Sequence, residues 1–197
     1  MIRLRDIDRL LIVATLLLVA IGVVMVWSTS YIFAMKRYGD EYFFVKKHLT
    51  FALGGLILFT AAMRVPYTMY RKMVYPILLL AAAFLICIYI PRLGFSAGGA
   101  RRWIRLGPVA FQPSEPAKLA VVVFLAYSLA AKAEKIKTFA VGFLPNILIP
   151  GVIIGLILLE PDLGTALTLS MIAGLMVFIG GVRFRYILAL GAAALPV

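Results

Sequence analysis

Residues able to do chemistry concentrate in two short stretches of an otherwise apolar chain. The first, 98-GGARRWIRLGPVAFQPSEPAK-118, gathers Arg101, Arg102, Arg105 and Lys118 around Trp103 and places Pro113, Ser114, Glu115 and Pro116 just before an apolar run. The second, 158-LLEPDLGTALTL-169, sets Glu160 and Asp162 on either side of Pro161, between two apolar runs. A planar guanidinium presents a two-pronged fork to phosphate. Glycines such as Gly94, Gly98, Gly99 and Gly107 let backbone N–H groups approach an anion, so this segment is expected to be a flexible or sharply turned loop. Trp103 adds a flat face for a sugar ring, or serves as an anchor at headgroup depth. Together these residues suit a diphosphate or a phosphorylated lipid headgroup. The plainer alternative is a solvated loop whose cations pair locally with Asp40, Glu41, Glu115, Glu160 and Asp162.

Ser114-Glu115-Pro116 reads as a helix start, with a serine N-cap, an acid near the positive end of the helix dipole, and a proline where a missing N–H does little harm. Capping does not account for Lys118, one turn into an apolar helix. Its expected partner is Glu115, three residues back, and an ionisable pair there marks a polar site. Asp162 is placed to cap the helix that follows Pro161. Glu160 closes an apolar helix and is expected to meet a cation or line a polar cavity. His48 has no second ligand beside it, and Cys87 lies alone in an apolar run, so the residues give a metal no support. Phosphate-loop, dinucleotide and serine-nucleophile signatures are not found.

The elements that must position these residues are membrane spans. The 197 residues are 64% hydrophobic with a mean hydropathy of +1.06. About 20 apolar residues cross a bilayer, and six such segments can be drawn: 10–27, 48–63, 73–90, 116–131, 139–159 and 163–182. A seventh, 186–197, is too short to cross, and the chain is expected to continue past Val197. The first span exceeds the roughly 7–15 residues of a signal-peptide core and is read as retained. The expected fold is all-α, a polytopic helical bundle in the membrane, with longer connections at 28–47 and 91–115 on one face. With the N-terminus cytoplasmic, eleven of the twenty basic residues fall inside and nine outside, the bias of the positive-inside rule. The net charge of +12 is dispersed in short clusters between apolar runs, which argues against nucleic acid as a partner.

The segments 99-GARRWIRLGPVAFQPSEPAKLA-120 and 159-LEPDLGTAL-167, with 42-YFFVKKHL-49 ahead of them, resemble the SEDS family of shape, elongation, division and sporulation proteins, its FtsW branch more than its RodA or SpoVE branches. The resemblance runs along essentially the whole chain. It implies a bundle of typically ten helices in the bacterial cytoplasmic membrane, of which this would be the N-terminal part. It implies polymerisation of lipid II into glycan strands at the outer face, beside a class B penicillin-binding protein and other membrane proteins of division or elongation. Arg101, Arg102, Trp103, Gln112, Ser114, Glu115 and Lys118 then match motif positions assigned to holding the substrate diphosphate and sugar. Glu160 and Asp162 would line a polar cavity. The family's proposed catalytic aspartate is expected beyond Val197. A general base must reach its proton within about 2.6–3.2 Å, and Asp162 and Glu160 are the local candidates. The resemblance implies no cofactor held by this chain.

Two other functions fit the same residues. Lys118 and Glu160 would suit a path that carries the lipid precursor across the bilayer. Small-residue faces at Gly174, Gly180 and Gly181 would suit a scaffold that recruits single-span partners.

Overall fold

In lipid a backbone must satisfy its own polar groups, which makes helices of the long apolar runs. The computed structural model describes residues 9–90, 93–97, 100–107, 109–186 and 189. They fall into two units divided at Pro66/Tyr67.

The first unit is a helical hairpin of α1 (Arg9–Tyr38) and α2 (Phe43–Met63). α1 is 30 residues long, or about 45 Å at a rise of about 1.5 Å per residue, against a hydrocarbon core of about 30 Å. The connection expected over 28–47 is thus largely helical. Ser28, Thr29 and Ser30 do not break α1, because the Thr29 and Ser30 hydroxyls donate back to the carbonyls of Met25 and Val26. The helix ends at Gly39, whose φ of 69° suits a residue without a side chain. The remaining turn is held by Asp40, which accepts from the Tyr42 N–H at 3.0 Å and from Lys46 Nζ at 2.8 Å. Tyr38 and Phe43 stack across it at 4.0 Å.

The second unit comprises α3 (Tyr67–Lys72), α4 (Val74–Cys87), three strands, α5 (Ser114–Ala131), α6 (Leu144–Leu159) and α7 (Leu163–Ile179). A wide helical turn over Phe139–Phe143 leads directly into α6. α5 lies at the centre, packed on α4, α6 and α7. Its buried residues Ala117, Ala120, Val121, Phe124, Leu125 and Ser128 repeat at helical spacing on one face. Val74, Ala81 and Leu85 of α4, Ile153 and Ile157 of α6, and Ala166, Leu169, Ala173 and Val177 of α7 complete this core.

Arg9–Tyr38, Phe43–Met63, Ser114–Ala131 and Phe139–Leu159 are long and apolar enough to cross a membrane, while Val74–Cys87 and Leu163–Ile179 are shorter apolar helices. α4 stops three residues before the expected end at Ile90, and α7 stops at Gly180 and Gly181, the latter at φ 84°. Most of the expected seventh segment, and Gly98 and Gly99, lie outside the described residues.

The segment expected as a flexible loop over 91–115 is instead a three-stranded antiparallel meander: β1 (Gly94–Ala97), β2 (Ala100–Leu106) and β3 (Val109–Phe111). The alternation that makes β2 a strand is present in the sequence itself, with Ala100, Arg102, Ile104 and Leu106 at one parity and Arg101, Trp103 and Arg105 at the other. Ala100 and Ile104 are buried. Gly94 is needed for close approach, since a Cβ there would run into the Ile88 carbonyl.

Candidate functional site

The cations of β2, whose register with β1 shifts at Arg102, find different neighbours. Arg101 Nη2 donates to the Ile90 carbonyl at 3.2 Å. The Arg105 guanidinium lies 4.5 Å from the centre of the Phe95 ring, and Phe95 pairs across the strands with the half-buried Trp103. Arg102 has the opposite parity, and its Nη1 stands 3.7 Å from Asp162 Oδ1. The three arginines therefore do not converge on one point, as their crowding in sequence had suggested.

The point of convergence is Asp162. Gln112 Nε2 donates to Asp162 Oδ2 at 3.0 Å and to Ser114 Oγ at 2.9 Å. The Thr165 N–H reaches Asp162 Oδ1 at 3.1 Å, and its hydroxyl reaches Oδ2 at 2.8 Å. Asp162 thus caps α7 as its position suggested, and also ties α7 to the strand–helix junction before α5. Ser114 does not cap α5. It is the first helical residue, fully buried, and its hydroxyl is an acceptor for Gln112, while Pro113 occupies the cap position without a side-chain bond. Glu115 turns away from this network and pairs with Lys118, Oε1 to Nζ at 2.9 Å, with the two side chains 59% and 29% exposed.

Glu160 is 1% exposed, and among the described residues both of its carboxyl oxygens lack a hydrogen-bond partner. Burial first, and the Asp162 charge second, push its carboxyl up to about 7. The Tyr89 phenol is likewise pushed up, by burial and then by the Glu160 charge, with Arg101 acting the other way. Arg102 Nε, also buried, likewise has no partner among the described residues.

The family model described as "Cell cycle protein", FtsW/RodA/SpoVE, matches residues 8–197. The chain belongs to this family. Among FtsW/RodA/SpoVE relatives it is 42% identical to a probable peptidoglycan glycosyltransferase FtsW of Geobacter sulfurreducens, over 98% of this chain and 52% of that protein. It is 36% identical to the stage V sporulation protein E of Bacillus subtilis, over 93% of this chain and 50% of that one. The chain spans about half the length of the curated relatives it matches. Among solved structures, a chain of a peptidoglycan synthase complex that coordinates polymerization and crosslinking is similar with a TM-score of 0.68 and 27% identity, over 91% of this chain and 51% of that one. The rod-shape-determining protein RodA of Thermus thermophilus is similar at a TM-score of 0.58 and 26% identity, over 91% and 58%.

In this FtsW/RodA/SpoVE chain the structure joins Arg102, Gln112, Ser114 and Asp162 directly. It places Glu160 at the same turn, Glu115 and Lys118 as a separate pair on α5, and Arg101 and Trp103 on β2 with other partners, the Ile90 carbonyl and Phe95. Sequence reasoning missed Thr165 and Tyr89. Thr165 was findable, because Asp-x-x-Thr at a helix start carries its own capping logic. Tyr89 had no such signal.

Proposed function

We propose that this chain is the substrate-holding part of a peptidoglycan glycosyltransferase that polymerises lipid II in the bacterial cytoplasmic membrane, its N-terminus inside, working beside a class B penicillin-binding protein. The observation that carries this reading is the tie of Arg102 and Gln112 to Asp162. It holds the β2–β3 meander against the starts of α5 and α7, and so fixes a cationic rim at Arg102. Such a rim suits a diphosphate, and Trp103 suits a sugar. The names of the relatives supply the reaction class. Asp162 is committed to its donors and Glu160 is buried, so neither is proposed as the general base. No metal or cofactor enters this reading.

The test is glycan polymerisation from lipid II by the full-length gene product carrying Arg102→Ala or Glu115→Ala. Losing one charge-assisted hydrogen bond to substrate, about 1.5–3 kcal/mol, predicts a roughly 10–100-fold lower rate with normal membrane insertion. Unchanged polymerisation in both variants overturns the site. Translocation of lipid II across vesicles without polymerisation would replace the reading with transport.

A further inference from the structure

The end of the second unit opposite the meander carries a cavity that the substrate site does not use. α5 begins at Ser114 beside the strands and ends at Ala131. Its 18 residues rise about 27 Å at about 1.5 Å each, close to the roughly 30 Å of a hydrocarbon core, so its two ends stand at opposite membrane surfaces. At the Ala131 end, α3, the start of α4 and the last turns of α5 bound a cavity of about 450 Å³. Val74, Val123 and the alanines of α5 supply its apolar wall. Its polar groups are the Arg71 guanidinium and the phenols of Tyr67, Tyr70 and Tyr127, and among the described residues no carboxylate lines it. The guanidinium lies 6.0 Å from the centre of the Tyr127 ring. It makes no ion pair with another described residue. Ala130 and Ala131 also wall a second recess, of about 410 Å³, where Lys132 and Lys135 face one carboxylate, Glu134. An apolar cavity thus adjoins a cationic surface at the depth where tyrosine meets lipid headgroups.

We propose that this cavity is a binding site for an anionic phospholipid, with the phosphate on Arg71 and one acyl chain against Val74, Val123 and Ala130. Charge and size choose this occupant. A guanidinium presents a fork that matches phosphate, and basic pockets between spans select anionic headgroups. The cations of the neighbouring recess outnumber its single carboxylate, so the field beside the phosphate is positive. A helix about 10–12 Å across would fit the cavity for no more than about one turn, too little for a partner span. A flexible acyl chain fills such a space, and each buried methylene adds about 0.8 kcal/mol. The bound lipid would also hold α3 in place. α3 has six residues, none of them buried, and it rests on α4 and α5 alone among the larger contacts of the second unit. A phosphate held by Arg71 of α3, on a lipid whose chain lies along α5, joins the two. The site stands at the other end of α5 from Arg102 and is independent of the substrate-holding reading.

The experiment titrates the full-length protein in neutral detergent with phosphatidylglycerol and counts retained lipid by native mass spectrometry, with phosphatidylcholine and inorganic phosphate in parallel arms. Phosphatidylglycerol should be retained in preference to phosphatidylcholine. Arg71→Ala should weaken it by about tenfold or more, the effect of losing one charge-assisted hydrogen bond. Ala130→Phe tests the apolar half. Ala130 is an exposed residue of the cavity wall, so the larger side chain fills the space without entering the core or changing a charge, and retention should fall here too. Phosphatidylglycerol with a diazirine on one acyl chain should label peptides 67–74 and 123–131, and its binding should raise the hydrogen-exchange protection of 67–72. Equal retention of the two lipids, or no effect of Arg71→Ala, overturns the phosphate contact and the proposal. Unchanged retention in Ala130→Phe shows attraction to surface charge alone and overturns the cavity as the site. Displacement of the lipid by inorganic phosphate as readily as by phosphatidylglycerol overturns the lipid as occupant. Labelling confined to other segments does the same, and because it is read on the unsubstituted protein it decides the matter even where a variant fails to fold.

Discussion

Asp162 concentrates the structural predictions, because replacing it with alanine removes a helix cap and the tie to Gln112 together. An N-cap is worth about 1 kcal/mol. The bonds from Gln112 Nε2 at 3.0 Å and the Thr165 hydroxyl at 2.8 Å go to a charged acceptor, a class worth about 1.5 kcal/mol or more each. The Arg102 contact at 3.7 Å adds little. The expected loss is about 4 kcal/mol, which for a chain of this size lowers Tm by roughly 10 °C. Thermal unfolding in detergent, followed by tryptophan fluorescence, reads it. Asp162→Asn should lose about half as much, because asparagine caps well but turns an amide N–H₂ toward the amide of Gln112. A double-mutant cycle with Gln112→Ala should return a coupling of about 1–2 kcal/mol. A Tm loss below about 2 °C for Asp162→Ala, or zero coupling with Gln112, would refute the claim that this carboxylate joins α7 to the strands.

Glu160 should make stability depend on pH. Its folded value of about 7 lies above the ordinary 4.5, so the folded chain holds the proton more tightly than the unfolded chain. Stability then falls as pH rises between those values and levels off above, and a Tm–pH profile should lose that slope in Glu160→Gln. Asp40 runs in the opposite sense. The Lys46 ammonium, then the Tyr42 N–H, hold its carboxyl below the ordinary 3.8. Its contribution is present above that value and is lost as pH falls through the folded value, so the protection of the Tyr42 amide relative to its intrinsic exchange rate should fall in acid, and in Asp40→Asn at neutral pH. Gly94→Ala should cost about 1–3 kcal/mol, because its Cβ meets the backbone carbonyl of Ile88. Gly180→Ala, whose Cβ meets the Leu129 methyls near 3 Å and the Met176 carbonyl at 3.1 Å, should cost less than Gly94→Ala, about 1 kcal/mol by Tm, because the methyls can give way.

Much of this architecture is legible in the sequence. The long apolar runs could only become helices, since lipid offers no other partner to their backbones, and Asp162 and Lys118 announced a cap and an ion pair by local spacing. Local spacing was also where the reading went wrong. Ser114 has the residue type and position of a cap, yet the chain before it turns so that Gln112 claims its hydroxyl. Ser28 to Ser30 look like a helix exit, yet the Thr29 and Ser30 hydroxyls bond back within α1. The crowding of Arg101, Arg102 and Arg105 suggested one anion site, but each guanidinium takes a different neighbour, the Ile90 carbonyl, Asp162 and the Phe95 ring, and the register shift at Arg102 that accompanies this was not on view in the sequence.

What the sequence determines here is the set of elements and the interactions made within three or four residues, because helix formation, capping and strand alternation depend on near neighbours. The tertiary structure alone decides which face of an evenly apolar helix is buried, since Ala117, Val121 and Leu125 differ from Leu119 only in what stands opposite. It alone brings Gln112 to Asp162 across fifty residues. It also encloses Glu160 with no hydrogen-bond partner among the described residues, because a carboxyl's environment is made by the elements that close around it.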